Sequence, residues 1–174
     1  EKDGPARIST LHYDLSEGLI LQLSGAKRIL IFSANHSKEF RPHAIHTPFD
    51  RQSKLEIGGE EKDPLQKVQG YQAVLNPGDV LYLPYGYWHY IESPYGSVAI
   101  TARWNPYEDT IRRLSNFKCL ALGLGNTGIP PGVAEVLYKN VLKSSVPEPV
   151  AKVLLQRFYA EKEECSKKPR PSRP

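Results

Sequence analysis

The sequence predicts a mainly β fold, a double-stranded β-helix of the jelly-roll kind, followed by a pair of C-terminal α-helices. Short apolar or alternating runs, separated by Gly, Pro and Asn turn signals, fill the first 106 residues with no helical spacing between them. Strands that succeed one another in this way pack as an antiparallel sandwich or barrel, and a double-sheet jelly roll answers the pattern. Aromatic residues make up 10% of the chain, ten of them Tyr, which suits pleated, half-buried surfaces. At 174 residues the chain is one domain by length, long enough to bury a real core. Three regions are expected: a β core over 1–106, a helical region over 107–164 and a disordered basic tail over 165–174.

The elements run in order along the chain. Glu1 to Pro5 reads as loop, and Arg7 to Tyr13 alternates as a strand. Leu19 to Leu23, behind Gly18, is the short apolar run of a buried strand. Ser24-Gly25-Ala26 predicts a turn, with Lys27 to Phe32 as the second strand of a hairpin. From Ser33 to Gly70 the pattern breaks into polar, Pro-containing sequence; so long a connection usually serves a function or covers a surface. Strands resume over 70–75 and 80–83, joined by Asn76-Pro77-Gly78-Asp79, where Asp79 is expected to close the turn. The stretches 88–92 and 97–104 complete the set. Trp88, Trp104, Tyr71, Tyr82 and Tyr87 are expected to pack in the core.

Beyond Pro106 the spacing becomes helical. One helix opens at Pro131 with Val133, Val136, Leu137 and Val141 on one side. A second spans Pro147 to Glu164, with Val150, Val153, Leu154 and Phe158 at helical spacing. These stripes pack within the subunit or form a homodimer interface, two readings the sequence leaves open.

Charge and cysteines narrow the partners. The net charge is +4, but Lys167, Lys168, Arg170 and Arg173 in the tail account for it, leaving a nearly neutral body. That argues against a nucleic-acid partner for the folded part. No apolar run approaches the roughly 18 residues of a membrane span, and the charged start is unlike a signal peptide. Cys119 and Cys165 make no disulfide framework. An intracellular protein, cytoplasmic or nuclear, is expected.

Two stretches carry the chemistry, Ser9-Thr10-Leu11-His12-Tyr13-Asp14 and Pro84-Tyr85-Gly86-Tyr87-Trp88-His89. Residues two apart on a strand share a face, so His12 and Asp14 can reach one point while Tyr13 turns away. His89 can supply a third ligand from another strand. Two His and one carboxylate, with the remaining positions open, is the donor set of non-haem Fe(II) oxygenases. Lys27, at the start of a strand, can project inward while Arg28 projects out. His43 and His46 lie between Pro42 and Pro48, and read as surface loop.

Thr10-Leu11-His12-Tyr13-Asp14, Gln22-x-x-Gly25-x-Lys27-Arg28, Pro77 to Pro84 and Trp88 to Ser93 resemble the JmjC and cupin-like Fe(II)/2-oxoglutarate oxygenases, over about Ser9 to Trp104. Within that family, His46-x-Pro48-x-Asp50-Arg51-Gln52-Ser53 resembles the asparaginyl hydroxylase branch that inhibits hypoxia-inducible factor, whose dimerisation helices the C-terminal pair also resembles. The resemblance implies that His12, Asp14 and His89 hold Fe(II). It implies further that Lys27 pairs with the distal carboxylate of 2-oxoglutarate, with Ser9 assisting, and that Arg51 and Gln52 contact a substrate peptide. The reaction it implies is hydroxylation of a protein side chain by O2, with 2-oxoglutarate converted to succinate and CO2. Demethylation of lysine and hydroxylation of a tRNA base are the alternatives within the family. Outside it stands a catalytically inactive binding or scaffold module.

Three departures qualify the match. Gly18 replaces a polar residue that the asparaginyl hydroxylase has near the cosubstrate, and Arg103 stands where that enzyme has Asn. Only eleven residues precede His12, so N-terminal barrel elements of the family are expected to be missing.

Overall fold

The structure, a computed structural model, describes residues 4–58, 65, 68–105, 118–122, 124 and 130–167. These divide into two compact units, one of residues 1–43 and 49–106 and one of residues 44–48 and 107–174.

The first unit is built from strands β1 (Arg7–Tyr13), β2 (Glu17–Ser24), β3 (Lys27–Phe32), β4 (Gly70–Leu75), β5 (Val80–Leu83), β6 (Trp88–Ser93) and β7 (Val98–Trp104). They form two antiparallel sheets, ordered β1-β6-β3-β4 and β5-β2-β7. Ile20, Ile29, Ile31, Leu75 and Leu83 fill the space between them. This is the jelly-roll arrangement the strand pattern predicts, with one correction. Ser24-Gly25-Ala26 does not close a hairpin, because β2 bonds to β5 and β7 while β3 bonds to β4 and β6. The turn carries the chain from one sheet to the other, so Ile20 and Ile29 meet face to face in the core rather than side by side. The next turn also crosses between sheets. Asp79 closes it as expected, its Oδ2 accepting from Asn76 N at 2.7 Å, while Gly78 supplies the positive φ of 96° that a residue with a Cβ resists.

Outward side chains of the four-stranded sheet are covered by the connection after β3. A short 3-10 turn, Ala34–Ser37, sets Ser37 Oγ to accept from the Trp88 indole N–H at 2.8 Å. Phe40 then lies 5.1 Å from Phe32 and 5.4 Å from Trp88, ring to ring. Trp88 and Phe40 are fully buried, so this half of the long connection covers a surface. Residues 51–53 continue along β1, Tyr13 N donating to Arg51 O at 3.0 Å and Ser53 N to Leu11 O at 2.8 Å. They satisfy backbone groups that a bare sheet edge would leave open.

The aromatic core expected from sequence is smaller than predicted. Tyr87 packs against the core and Trp88 is buried, but Tyr71 is 72%, Tyr82 47% and Trp104 40% exposed. Tyr71 sits on the edge strand β4. Tyr82 and Trp104 occupy outward positions of the second sheet, where the Trp104 indole N–H donates to Glu17 Oε2 at 2.8 Å.

The second unit contains α1 (Pro131–Ser145) and α2 (Glu148–Lys167). Its buried stripe runs Ala134, Tyr138, Leu142, Val146, Val150, Ala151, Leu154 and Phe158, with Tyr138 and Phe158 rings 4.8 Å apart. On α1 the stripe is rotated from the expected one, for Val133 and Val136 are exposed. Ala134 is the residue that faces inward, and a small side chain there lets two helices approach. Helix α2 continues through Cys165 to Lys167, into the stretch expected to be tail, and the rest of that tail lies outside the described residues. Glu161 bonds back to residues 44–48, accepting from Ile45 N at 2.6 Å and pairing with His46. No described helix is long and apolar enough to cross a membrane.

Trp88 ties β6 to its cover, so Trp88→Ala is expected to lower the unfolding free energy by about 3–5 kcal/mol in urea titrations. Tyr71→Ala, at an exposed edge position, is expected to change it by less than about 0.5 kcal/mol. Equal effects would contradict the packing described.

Candidate functional site

Strand β1 pairs with β6 so that His12 stands directly opposite His89, and a register shift between Ser9 and His12 marks a bulge. A bulge inserts one extra residue into a strand and re-aims the side chains beyond it. Ser9 is opposite Ile91 and His12 opposite His89, so Ser9 and His12, three apart, face the same way. Leu11 and Tyr13 turn to the other face and are buried there, Tyr13 lying 4.8 Å from Trp88 ring to ring. Asp14 comes directly after the end of β1, and its backbone carbonyl is anchored by Gly86 N at 3.0 Å.

One ligand atom each from His12, Asp14 and His89 lie within 4.8 Å of one another, close enough to hold a metal ion. The imidazole centroids are 4.2 Å apart, and His89 Nε2 is 3.9 Å from Asp14 Oδ2. Both tautomers are set by the backbone. His12 Nδ1 is 2.6 Å from Thr10 O and His89 Nδ1 is 3.0 Å from Tyr87 O. A carbonyl only accepts, so each Nδ1 carries a hydrogen and Nε2 is the atom left to ligate. Metal-binding histidines are oriented by this kind of outer hydrogen bond. Burial, then the neighbouring His12, lowers the His89 pKa from 6.5 to about 4, against the smaller opposing pull of the Tyr87 carbonyl and Asp14. The ring is therefore neutral at physiological pH, as a ligand must be.

The three open into a cavity of about 170 Å³ between the two sheets, also lined by Ser9, Lys27, Ser16, Gly18, Ser93, Thr101 and Arg103. Lys27 thus projects inward. Arg28 projects to the opposite face, where its Nη1 meets Glu92 Oε2 at 2.9 Å. Arg103 Nη1 is 3.1 Å from Asp14 Oδ2. Gln52 forms an isolated bridge with His12, and residues opposite each other in an antiparallel pair project to one face. It therefore stands beside the triad, exposed, with Arg51 next to it on the outside. Of the seven residues singled out from sequence, five line the cavity, and Arg51 and Gln52 are exposed outside its lining. Thr101, Ser16 and Ser93 are additional lining residues that sequence reasoning does not select. Period-two alternation with Arg103 could have found Thr101, but nothing in the local sequence marks Ser16 or Ser93.

The cupin-like domain family matches residues 4–110. Jumonji C domain-containing protein 5 of Drosophila melanogaster is 33% identical over 58% of this chain and 26% of its own length. Lysine-specific demethylase 8 of Xenopus tropicalis is 30% identical over 59% of the chain and 24% of its own. For tRNA wybutosine-synthesizing protein 5 of Gallus gallus the figures are 29%, 53% and 29%. The chain spans about a quarter of the length of these relatives.

A lowered His89 pKa is a stability statement. Between pH 6.5 and about 4 the unfolded chain binds the proton and the folded one does not. Stability of the metal-free protein is therefore full above about pH 6.5 and falls by on the order of 3 kcal/mol as pH drops to about 4. Urea unfolding across that range is expected to show the loss, and His89→Gln to flatten this part of the slope.

Proposed function

The chain belongs to the cupin-like domain family, and from that membership and its site we propose an Fe(II)- and 2-oxoglutarate-dependent oxygenase that hydroxylates a protein side chain. The observation that carries this reading is the convergence of two imidazoles and one carboxylate on a cavity that also holds a lysine. Nitrogen and carboxylate donors with open remaining positions suit non-haem Fe(II). His12 and His89 would ligate through Nε2 and Asp14 through a carboxylate oxygen. Bound iron supplies the redox chemistry by which O2 and 2-oxoglutarate yield succinate, CO2 and one oxygen atom inserted into the substrate.

The chain's own residues supply the rest. Lys27 offers a fixed cation to the far carboxylate of a diacid, with the Ser9 hydroxyl on the same wall of the cavity. Hydrogen bonds to a charged group are worth about 1.5–3 kcal/mol. Burial of His89 keeps water from one side of the site and keeps its ring unprotonated. Arg51 and Gln52, which are exposed, would contact a substrate peptide, and Gln52 can both donate to and accept from an amide. Resemblance of the Arg51-Gln52 segment to the asparaginyl hydroxylase favours an amide-bearing side chain as the target. Relatives named as a lysine-specific demethylase and a tRNA wybutosine-synthesizing protein favour a second reading, with methyl-lysine or a tRNA base as substrate.

Anaerobic titration with Fe(II) and 2-oxoglutarate, followed by the visible charge-transfer band of the chelate, tests the proposal. Wild type is expected to give the band and His12→Ala to lose it. Lys27→Ala is expected to need about 10–100 times more 2-oxoglutarate. Absence of the band in the wild type contradicts the reading and leaves the inactive scaffold. With the band present, mass spectrometry of candidate peptides separates gain of one oxygen from loss of a methyl.

A further inference from the structure

The oxygen of Asp14 that lies 3.9 Å from His89 Nε2 is also the one held by Arg103, at 3.1 Å. A guanidinium stays charged at any physiological pH, so a divalent cation entering the triad meets a positive group already bonded to one of its ligands. Both cannot keep that oxygen at close range without repulsion. The arginine has somewhere to go, since its side chain is 55% exposed while that of Asp14 is 20% exposed. Gly18 is the cross-strand partner of Arg103, and a Cβ on Gly18 would lie 3.6 Å from Arg103 Cγ. The two positions at which this sequence departs from the asparaginyl hydroxylase pattern therefore face each other across β2 and β7, at ordinary contact distance.

We propose that Arg103 is a counter-ion exchanged by the metal: it holds Asp14 while the site is empty, is displaced when a divalent ion binds, and then offers its guanidinium to a carboxylate entering the cavity. The proposal rests on the reading of His12, Asp14 and His89 as a metal site and adds a consequence to it. Metal and carboxylate bind with positive coupling, because each relieves a cost left by the other. The metal frees Arg103 from Asp14, and the carboxylate neutralises the freed cation. Charge supports the second half. A divalent ion, Lys27 and Arg103 together outweigh Asp14 by three positive charges, and a dianionic acid leaves one uncompensated. By linkage, whatever factor the metal adds to carboxylate affinity the carboxylate adds to metal affinity. Toward the metal, Arg103 is a positioning residue that acts through Asp14.

Mn(II) titration followed by EPR, with and without saturating 2-oxoglutarate, separates this from a passive surface ion pair. The proteins compared are wild type, Arg103→Gln and Arg103→Lys. Without the acid, Arg103→Gln is expected to bind Mn(II) about two- to fivefold tighter, a range on the order of what one partly exposed ion pair is worth. With the acid, wild type is expected to gain more affinity than Arg103→Gln, so the two converge. Arg103→Lys, which keeps the charge but not the planar fork, is expected to fall between them. Equal Mn(II) affinity in wild type and Arg103→Gln, with the acid's effect unchanged, overturns the inference and leaves the metal site standing. Failure of the wild type to bind Mn(II) overturns both.

Discussion

The site depends on the antiparallel pairing of β1 with β6 and on the single bulge within it. The pairing sets His12 across from His89, and opposite residues in an antiparallel pair have their Cβ atoms about 4.5–5.5 Å apart on one face. Two imidazoles at that separation, with both Nδ1 hydrogens taken by carbonyls, have their Nε2 lone pairs available to one point. The bulge turns Ser9 to the same face without moving Leu11 and Tyr13 from the other. A slip of one residue would send His12 into the apolar layer around Trp88. The packing of Tyr13, Trp88 and Phe40 on the outer face therefore holds the register on which the site relies.

The two sheets contribute differently to the cavity between them. The four-stranded sheet provides both imidazoles and Lys27, while the three-stranded sheet provides Gly18, Thr101 and Arg103. Asp14 lies on the connection that crosses from one to the other. Desolvation keeps the innermost ligand, His89, neutral, and the two cations approach from opposite walls. Lys27 stands on one wall and Arg103, paired with Asp14, on the other, so the cavity is lined by two basic side chains and one carboxylate.

Much of this architecture is legible in the sequence, and the failures have physical causes. Alternation over His12 to Asp14 and over Lys27-Arg28 identifies inward faces, because a strand's period is local, whereas the bulge that brings Ser9 to the face of His12 is a matter of pairing with β6. The turn at Asn76 to Asp79 is legible for the same reason. Pairing is not local. Ser24-Gly25-Ala26 has the composition of a hairpin turn, and only the partners β5 and β7 decide that it crosses between sheets. Tyr82 and Trp104 have core composition but occupy outward strand positions, and Tyr71 has an edge strand behind it. On α1, hydrophobic spacing favours Val133 and Val136 over Ala134, whereas close helix packing selects the small residue. The meeting of Gly18 with Arg103 cannot be read from either residue alone, since it is a matter of register.

A site built from both rings holds one metal ion through His12 Nε2, His89 Nε2 and a carboxylate oxygen of Asp14. Electron spin-echo envelope modulation on the Mn(II)- or Cu(II)-loaded protein counts the imidazoles bound. Two equivalent-range nitrogen couplings are expected in the wild type and one after His12→Ala. A wild-type signal from one imidazole or none, or a His12→Ala signal unchanged from it, would contradict a site built from both rings.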